Sequence, residues 1–230
     1  MKNIEGVIFD LDGTLIDSEN NYYLADKKLL EMYGIDFTEK MKAQYIGTGN
    51  LDMMKKIKEI YNIPDSVEFL HKKKNELYLE LARRNTVVFP EMKKLLEILR
   101  EKDYKIALAS GSSKEVIDEI MVLTGLNIFF DAIVAGDEVV NSKPAPDIFI
   151  LAAKRLNIEP ERLLVIEDSK YGVEAAKNAG MLCIAIPSII EDPFPEIFYK
   201  ADFLFKNGMK DFQKEKVLEW LECCKIEKNN

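Results

Sequence analysis

The chain has little of what builds a zinc or disulfide framework: three cysteines and a single histidine in 230 residues. Cys183, Cys223 and Cys224 show no metal-ligand spacing and no pairing logic, so reduced thiols are expected. His71 precedes Lys72-Lys73-Lys74 on an expected helix, where a solvated face is the plain reading for the histidine and the lysines alike. No apolar stretch exceeds strand length, which excludes a transmembrane helix. Residues 1–5 run into the first apolar stretch without a signal-peptide pattern, so a cytoplasmic protein is expected. Positive charge is also in deficit, with 32 Lys and Arg against 40 Asp and Glu for a net charge of −8. Such a balance disfavours nucleic acid and anionic membrane as partners. It leaves room for a small anion held in a local positive pocket.

What is present points to a packed enzyme-sized fold. The 47% hydrophobic content supports a substantial core and argues against disorder. Short β-rich apolar runs at 7–9, 105–109, 132–135, 163–166, 182–186 and 202–205 are expected strands, and helical patterns separate most of them. Fully apolar strands alternating with helices indicate a doubly wound α/β fold, its parallel sheet covered on both faces. Residues 17–86 break that pattern with four helical stretches, 19–33, 38–45, 51–61 and 67–84, and no strand between them. The expected organisation is therefore an α/β core from 1–16 and 87–230, with a small helical domain of 17–86 inserted after the first strand. The tail 214–225 is an expected amphipathic helix.

The most informative residues are Asp10-Leu11-Asp12-Gly13-Thr14, directly after the first strand. In extended geometry Asp10 and Asp12 share a face about 7 Å apart, so both carboxylates address one point. Two close anions repel unless a cation or a proton lies between them. In an open parallel sheet, ligands bind at the carboxyl ends of strands. Other chemistry-bearing residues stand at such ends, Ser110 with Gly111 and Ser112, and Glu167-Asp168; Lys143 lies after the third core strand and before a helix, in a loop stiffened by Pro144 and Pro146. Each has a task if the ligand is a phosphate monoester. Asp10 would attack phosphorus, and Asp12 would exchange protons with the leaving alcohol and with water. Ser110, Gly111 and Lys143 would hold the phosphoryl oxygens. Asp10, Asp12, Glu167 and Asp168 offer the hard oxygen ligands that Mg²⁺ prefers.

These motifs, in this order and over nearly the whole chain, resemble those of the haloacid dehalogenase superfamily, in particular its capped phosphatases and β-phosphoglucomutases. The resemblance implies a Rossmann-like core with a helical cap and a Mg²⁺-dependent phosphatase working through an aspartyl-phosphate on Asp10. It implies that Asp12 is the acid/base residue and that Ser110 and Lys143 are phosphate ligands. Metal would be held by Asp10, the Asp12 carbonyl and Asp168, with Glu167 at or just behind it. Dehalogenase members lack the second aspartate, so Asp12 speaks for phosphate chemistry.

Three departures set the chain apart from the mutases it resembles. Thr14 stands where they have valine, and Tyr22 stands in register with a histidine. The segment 45–50, with the candidate substrate residues Gly47, Thr48 and Asn50, has no arginine for a second phosphate. Hydrolysis of small sugar or polyol phosphates by a monomer is expected. A sugar-phosphate mutase and a non-catalytic phosphate-binding or regulatory protein are the alternatives. Tyr22, Tyr23, Tyr33 and Tyr45 are expected in the core of the insertion or at its interface.

Overall fold

Six apolar runs form one all-parallel sheet in the order β3-β2-β1-β4-β5-β6. They are β1 (Gly6–Phe9), β2 (Lys105–Ser110), β3 (Ala132–Ala135), β4 (Leu163–Glu167), β5 (Leu182–Ala185) and β6 (Phe203–Leu204). The computed structural model describes residues 3–45 and 50–226.

The two central strands, β1 and β4, are buried along their whole length. Their lack of a polar face follows from cover on both sides. Val7 and Phe9 pack with Met92, Leu95 and Val217 on one face, while Ile8 packs with Phe149 and Val173 on the other. That is the period-two alternation of a strand. The first face is covered by α5 (Pro90–Glu101), α6 (Lys114–Thr124) and α9 (Lys214–Ile226), and the second by α7 (Asp147–Leu156) and α8 (Lys170–Asn178). Each fully buried aliphatic side chain in these layers contributes roughly 1.5–3 kcal/mol relative to exposure.

From β1 the chain builds outward to β2 and β3 on one side, then returns to add β4, β5 and β6 on the other. The reversal makes the carboxyl ends of β1, β2 and β4 the switch point where an open α/β sheet leaves a crevice.

Between β1 and α5 stand α1 (Glu19–Glu31), α2 (Glu39–Lys42), α3 (Asn50–Tyr61) and α4 (Val67–Asn85), with no strand among the described residues. The helix expected over 38–45 is a single α-turn continued by a 3₁₀ turn at Ala43–Tyr45. Ser66 caps α4, its hydroxyl accepting from the Phe69 N–H at 3.1 Å. The insertion has its own apolar cluster around Leu29, Phe37, Met54, Ile57 and Leu70. Its entry and exit run side by side: Asp17 N–H donates to Val87 O at 2.9 Å, and Phe89 N–H to Leu15 O at 3.0 Å. No described helix is long and apolar enough to cross a membrane.

Candidate active site

The β1 end is fixed first. Asp10 N–H donates to Ile166 O at 3.0 Å, extending the ladder one residue past the strand. Gly13 follows with φ of +80°, a conformation that favours glycine, and a Cβ there would run into the Asp168 carboxylate. Thr14 Oγ1 donates to Asp168 Oδ1 at 3.3 Å. The Gly-Thr of the first motif thus seats the aspartate of the last one.

At the β4 end, Glu167 Oε2 accepts from Ser169 N–H at 2.8 Å and Ser169 Oγ at 3.0 Å. Ser169 in turn caps α8 by accepting the Gly172 N–H at 3.0 Å. A side chain at position 172 would collide with the Glu167 carboxylate, so glycine is the residue that permits this approach.

Lys143 closes the group. Its Nζ lies 2.6 Å from Asp10 Oδ1 and 2.6 Å from Glu167 Oε1, and 5.0 Å from the centre of the Phe149 ring. Burial works against its charge, but the carboxylates of Asp10 and Glu167 outweigh it and raise its pKa. Ligand oxygens of Asp10, Glu167 and Asp168 all lie within 4.8 Å of one another, and all three residues are buried. Burial, aided by the charge of Glu167, pushes Asp10 up to about 8 even with Lys143 beside it. Burial likewise lifts Asp168 well above the carboxylate range, with Glu167 and Asp10 adding to the effect. Hard oxygen donors with more negative charge than one ammonium can balance fit a divalent cation.

Asp12 is turned elsewhere, and its carboxylate is not part of that cluster. Its Oδ2 accepts from Ser112 Oγ at 2.8 Å, Ser110 Oγ at 3.3 Å and the Tyr22 hydroxyl at 3.5 Å. Its Oδ1 is buried and has no hydrogen-bond partner. Burial raises the Asp12 pKa against the lowering hydrogen bond from Ser112. The Tyr22 and Ser112 hydroxyls are 2.7 Å apart, and the Tyr22 ring stacks on Tyr78 with centres separated by 4.0 Å.

One cavity joins these groups. Asp10, Asp12, Ser110, Gly111, Lys143, Glu167 and Asp168 all line it. Asn50 lines it from the insertion, whereas Gly47 and Thr48 lie outside the described residues. Tyr22, expected as core or interface, reaches the site itself. The lysine run is not solvated throughout. Lys72 is exposed, but Lys74 is buried, lines the cavity and pairs with Asp26 at 2.7 Å. A run of three consecutive lysines on a helix cannot share one face, because each step turns about 100°. The spacing of Glu19, Tyr22 and Asp26 on α1, one residue per turn of the helix, is the signal that would have found this wall.

Comparison with known proteins agrees with this geometry. The family model for haloacid dehalogenase-like hydrolases matches residues 7–186. A phosphorylated carbohydrates phosphatase of Thermotoga maritima is 37% identical over 182 residues, 77% of this chain and 82% of that one. A phosphoglycolate phosphatase of Aquifex aeolicus is 34% identical over 175 residues, 76% and 80% of the two chains. Among solved structures, a β-phosphoglucomutase of Clostridium difficile superposes with a TM-score of 0.79 at 27% identity, covering 95% of this chain and 97% of that one.

Proposed function

The chain belongs to the haloacid dehalogenase-like hydrolases, and from that premise we propose that it is a Mg²⁺-dependent phosphatase of small phosphate monoesters, sugar or polyol phosphates foremost. The observation that carries this reading is the division of labour between the first two aspartates. Asp10 faces Lys143 and the acidic cluster, while Asp12 faces hydroxyl groups.

In the proposed reaction an Asp10 carboxylate oxygen attacks phosphorus and the bond from phosphorus to the ester oxygen breaks. Asp12, whose burial favours its protonated form, gives its proton to the departing alkoxide. The aspartyl-phosphate on Asp10 is then attacked by water, whose proton passes to the Asp12 carboxylate, and phosphate leaves with Asp10 restored. Lys143, Ser110 and the backbone N–H of Gly111 hold the phosphoryl oxygens throughout. Mg²⁺, when bound by the Asp10 and Asp168 carboxylates and the Asp12 carbonyl, supplies positive charge against the phosphoryl oxygens. Glu167 has both oxygens engaged, by Lys143 and by Ser169. Its proposed part is to orient Lys143 behind the metal. Residues 17–86 form the proposed cap domain, which covers the reacting group and excludes bulk water.

The test is phosphate release with Mg²⁺ across sugar, polyol, nucleotide and glycolytic phosphates, with Asp10→Asn alongside. Release by the parent protein alone supports the reading, and equal release by the variant overturns it. The structural likeness to a β-phosphoglucomutase favours a second reading, a sugar-phosphate mutase. That reading requires isomerisation dependent on glucose 1,6-bisphosphate to outpace phosphate loss.

A further inference from the structure

The insertion's side of the cavity is polar in a way the reaction does not use. Helix α1 contributes Glu19 and Asp26 there, α2 contributes Lys42 and α4 contributes Lys74. Each ammonium has its own carboxylate: Lys74 Nζ is 2.7 Å from Asp26 Oδ1, and Lys42 Nζ is 2.7 Å from Glu19 Oε2. The described charges on this wall cancel, and residues 46–49 contain no charged side chain.

The inner pair is the unusual one. The Asp26 and Lys74 side chains are each 2% exposed, between α1 and α4. A buried ion pair is weak support for stability, because two well-packed apolar residues in its place are often neutral or stabilising. Packing therefore gives no reason for this pair at a cavity wall, whereas recognition does. A carboxylate accepts from a hydroxyl and an ammonium donates to one, so an adjacent pair presents both complements to neighbouring hydroxyls. A second phosphate would meet the Asp26 carboxylate at close range with only a shared lysine to offset it, a like-charge contact that disfavours it.

The location is also suitable. Lys74 Nζ lies over the Tyr22 ring, 5.4 Å from its centre, and the hydroxyl of that ring is 3.5 Å from Asp12 Oδ2. Tyr22 therefore touches both the pair and the carboxyl assigned to protonate the leaving alcohol.

We propose that the Asp26–Lys74 ion pair is the specificity-determining subsite for the leaving group, an uncharged molecule that gives a hydroxyl hydrogen to Asp26 and a hydroxyl oxygen to Lys74. This rests on the phosphatase reading and names the class of alcohol it acts on: a polyol or sugar with neighbouring free hydroxyls and no second phosphate. A site built to bind hydroxyls discriminates strongly against an analogue lacking them, since its own polar groups are then left unpaired.

The experiment compares kcat/KM for glycerol phosphate and n-propyl phosphate, esters of one size that differ in two hydroxyls. It uses the parent protein and the double variant Asp26→Leu with Lys74→Met, and Asp26→Asn serves if the double variant does not fold. The parent protein is expected to prefer glycerol phosphate by about thirtyfold or more, and the variants to lose at least tenfold of that ratio. A purely structural pair lowers both esters together, so an unchanged ratio overturns the proposal. A parent ratio near one overturns the subsite while leaving the phosphatase standing. Absence of phosphate from both esters, and from the wider panel, overturns the phosphatase reading itself. Fructose 1-phosphate is expected to surpass fructose 1,6-bisphosphate, and the reverse order also refutes the assignment.

Discussion

Lys143 Nζ stands 2.6 Å from Asp10 Oδ1, joining the loop before α7 to the end of β1 across 133 residues of sequence. The same ammonium is 2.6 Å from Glu167 Oε1. One lysine therefore offsets part of the charge of two buried carboxylates.

Lys143→Met keeps the length of the side chain and removes its charge. Deleting one preorganised electrostatic group from such a centre costs about 10²–10³ in rate, and kcat for a monophosphate is expected to fall by that factor. Steady-state kinetics check it, with circular dichroism to confirm the fold.

The acidic cluster sets a dependence on pH and metal. Burial raises Asp10 from its ordinary 3.8 to about 8. Between those values the metal-free folded protein binds more protons than the unfolded chain, so its stability falls as pH rises through that window. A divalent cation displaces those protons and reverses the penalty. The Mg²⁺-induced increase in Tm is thus expected to be larger at pH 8 than at pH 5. Asp168→Asn should shrink the difference, and thermal unfolding with and without Mg²⁺ at the two pH values measures both.

Asp12→Asn removes the proton donor for the leaving group. An alkyl phosphate, whose alkoxide needs that proton, should lose more than an aryl phosphate, whose phenolate leaves unaided. Rapid-quench kinetics on p-nitrophenyl phosphate should show a burst of phenolate followed by slow turnover, since Asp12 also activates the water of the second step.

Gly13→Ala forces a side chain into positive φ and toward the Asp168 carboxylate. An Ala at positive φ is destabilising by about 1 kcal/mol or more. Activity is expected to fall at least tenfold with the lowered Tm, and Mg²⁺ affinity to weaken because Asp168 is displaced. Titration followed by thermal shift reads that affinity directly.

The α/β core was legible because its strands are short, fully apolar and bounded by turn residues, and its chemistry falls where those strands stop. Asp10, Ser110, Glu167 and Asp168 could be found in that way. Lys143 sits in a loop after the third strand, where its task follows from a phosphate ligand and the family motif reinforces it. Helix α5 carries the spacing of a buried helical face at Met92, Leu95, Leu96 and Leu99, but it precedes its strand and so falls outside the strand–turn–helix units that the sequence marks. The insertion's wall was harder still. Tyr22, Asp26 and Lys74 come from two helices whose facing is set by tertiary packing, and a lysine within Lys72-Lys73-Lys74 reads as solvated until its partner on α1 is known. Gly172 was also unreadable alone, since its reason is the Glu167 carboxylate above it.

The proposed chemistry turns on the covalent role of Asp10. Acid quenching during a single turnover with Mg²⁺, reduction with borohydride and peptide mass analysis would locate an acyl phosphate as homoserine. Homoserine at position 10 is the predicted result. Homoserine at Asp12 or Asp168 instead, or hydroxynorvaline at Glu167, would contradict the assignment of the nucleophile.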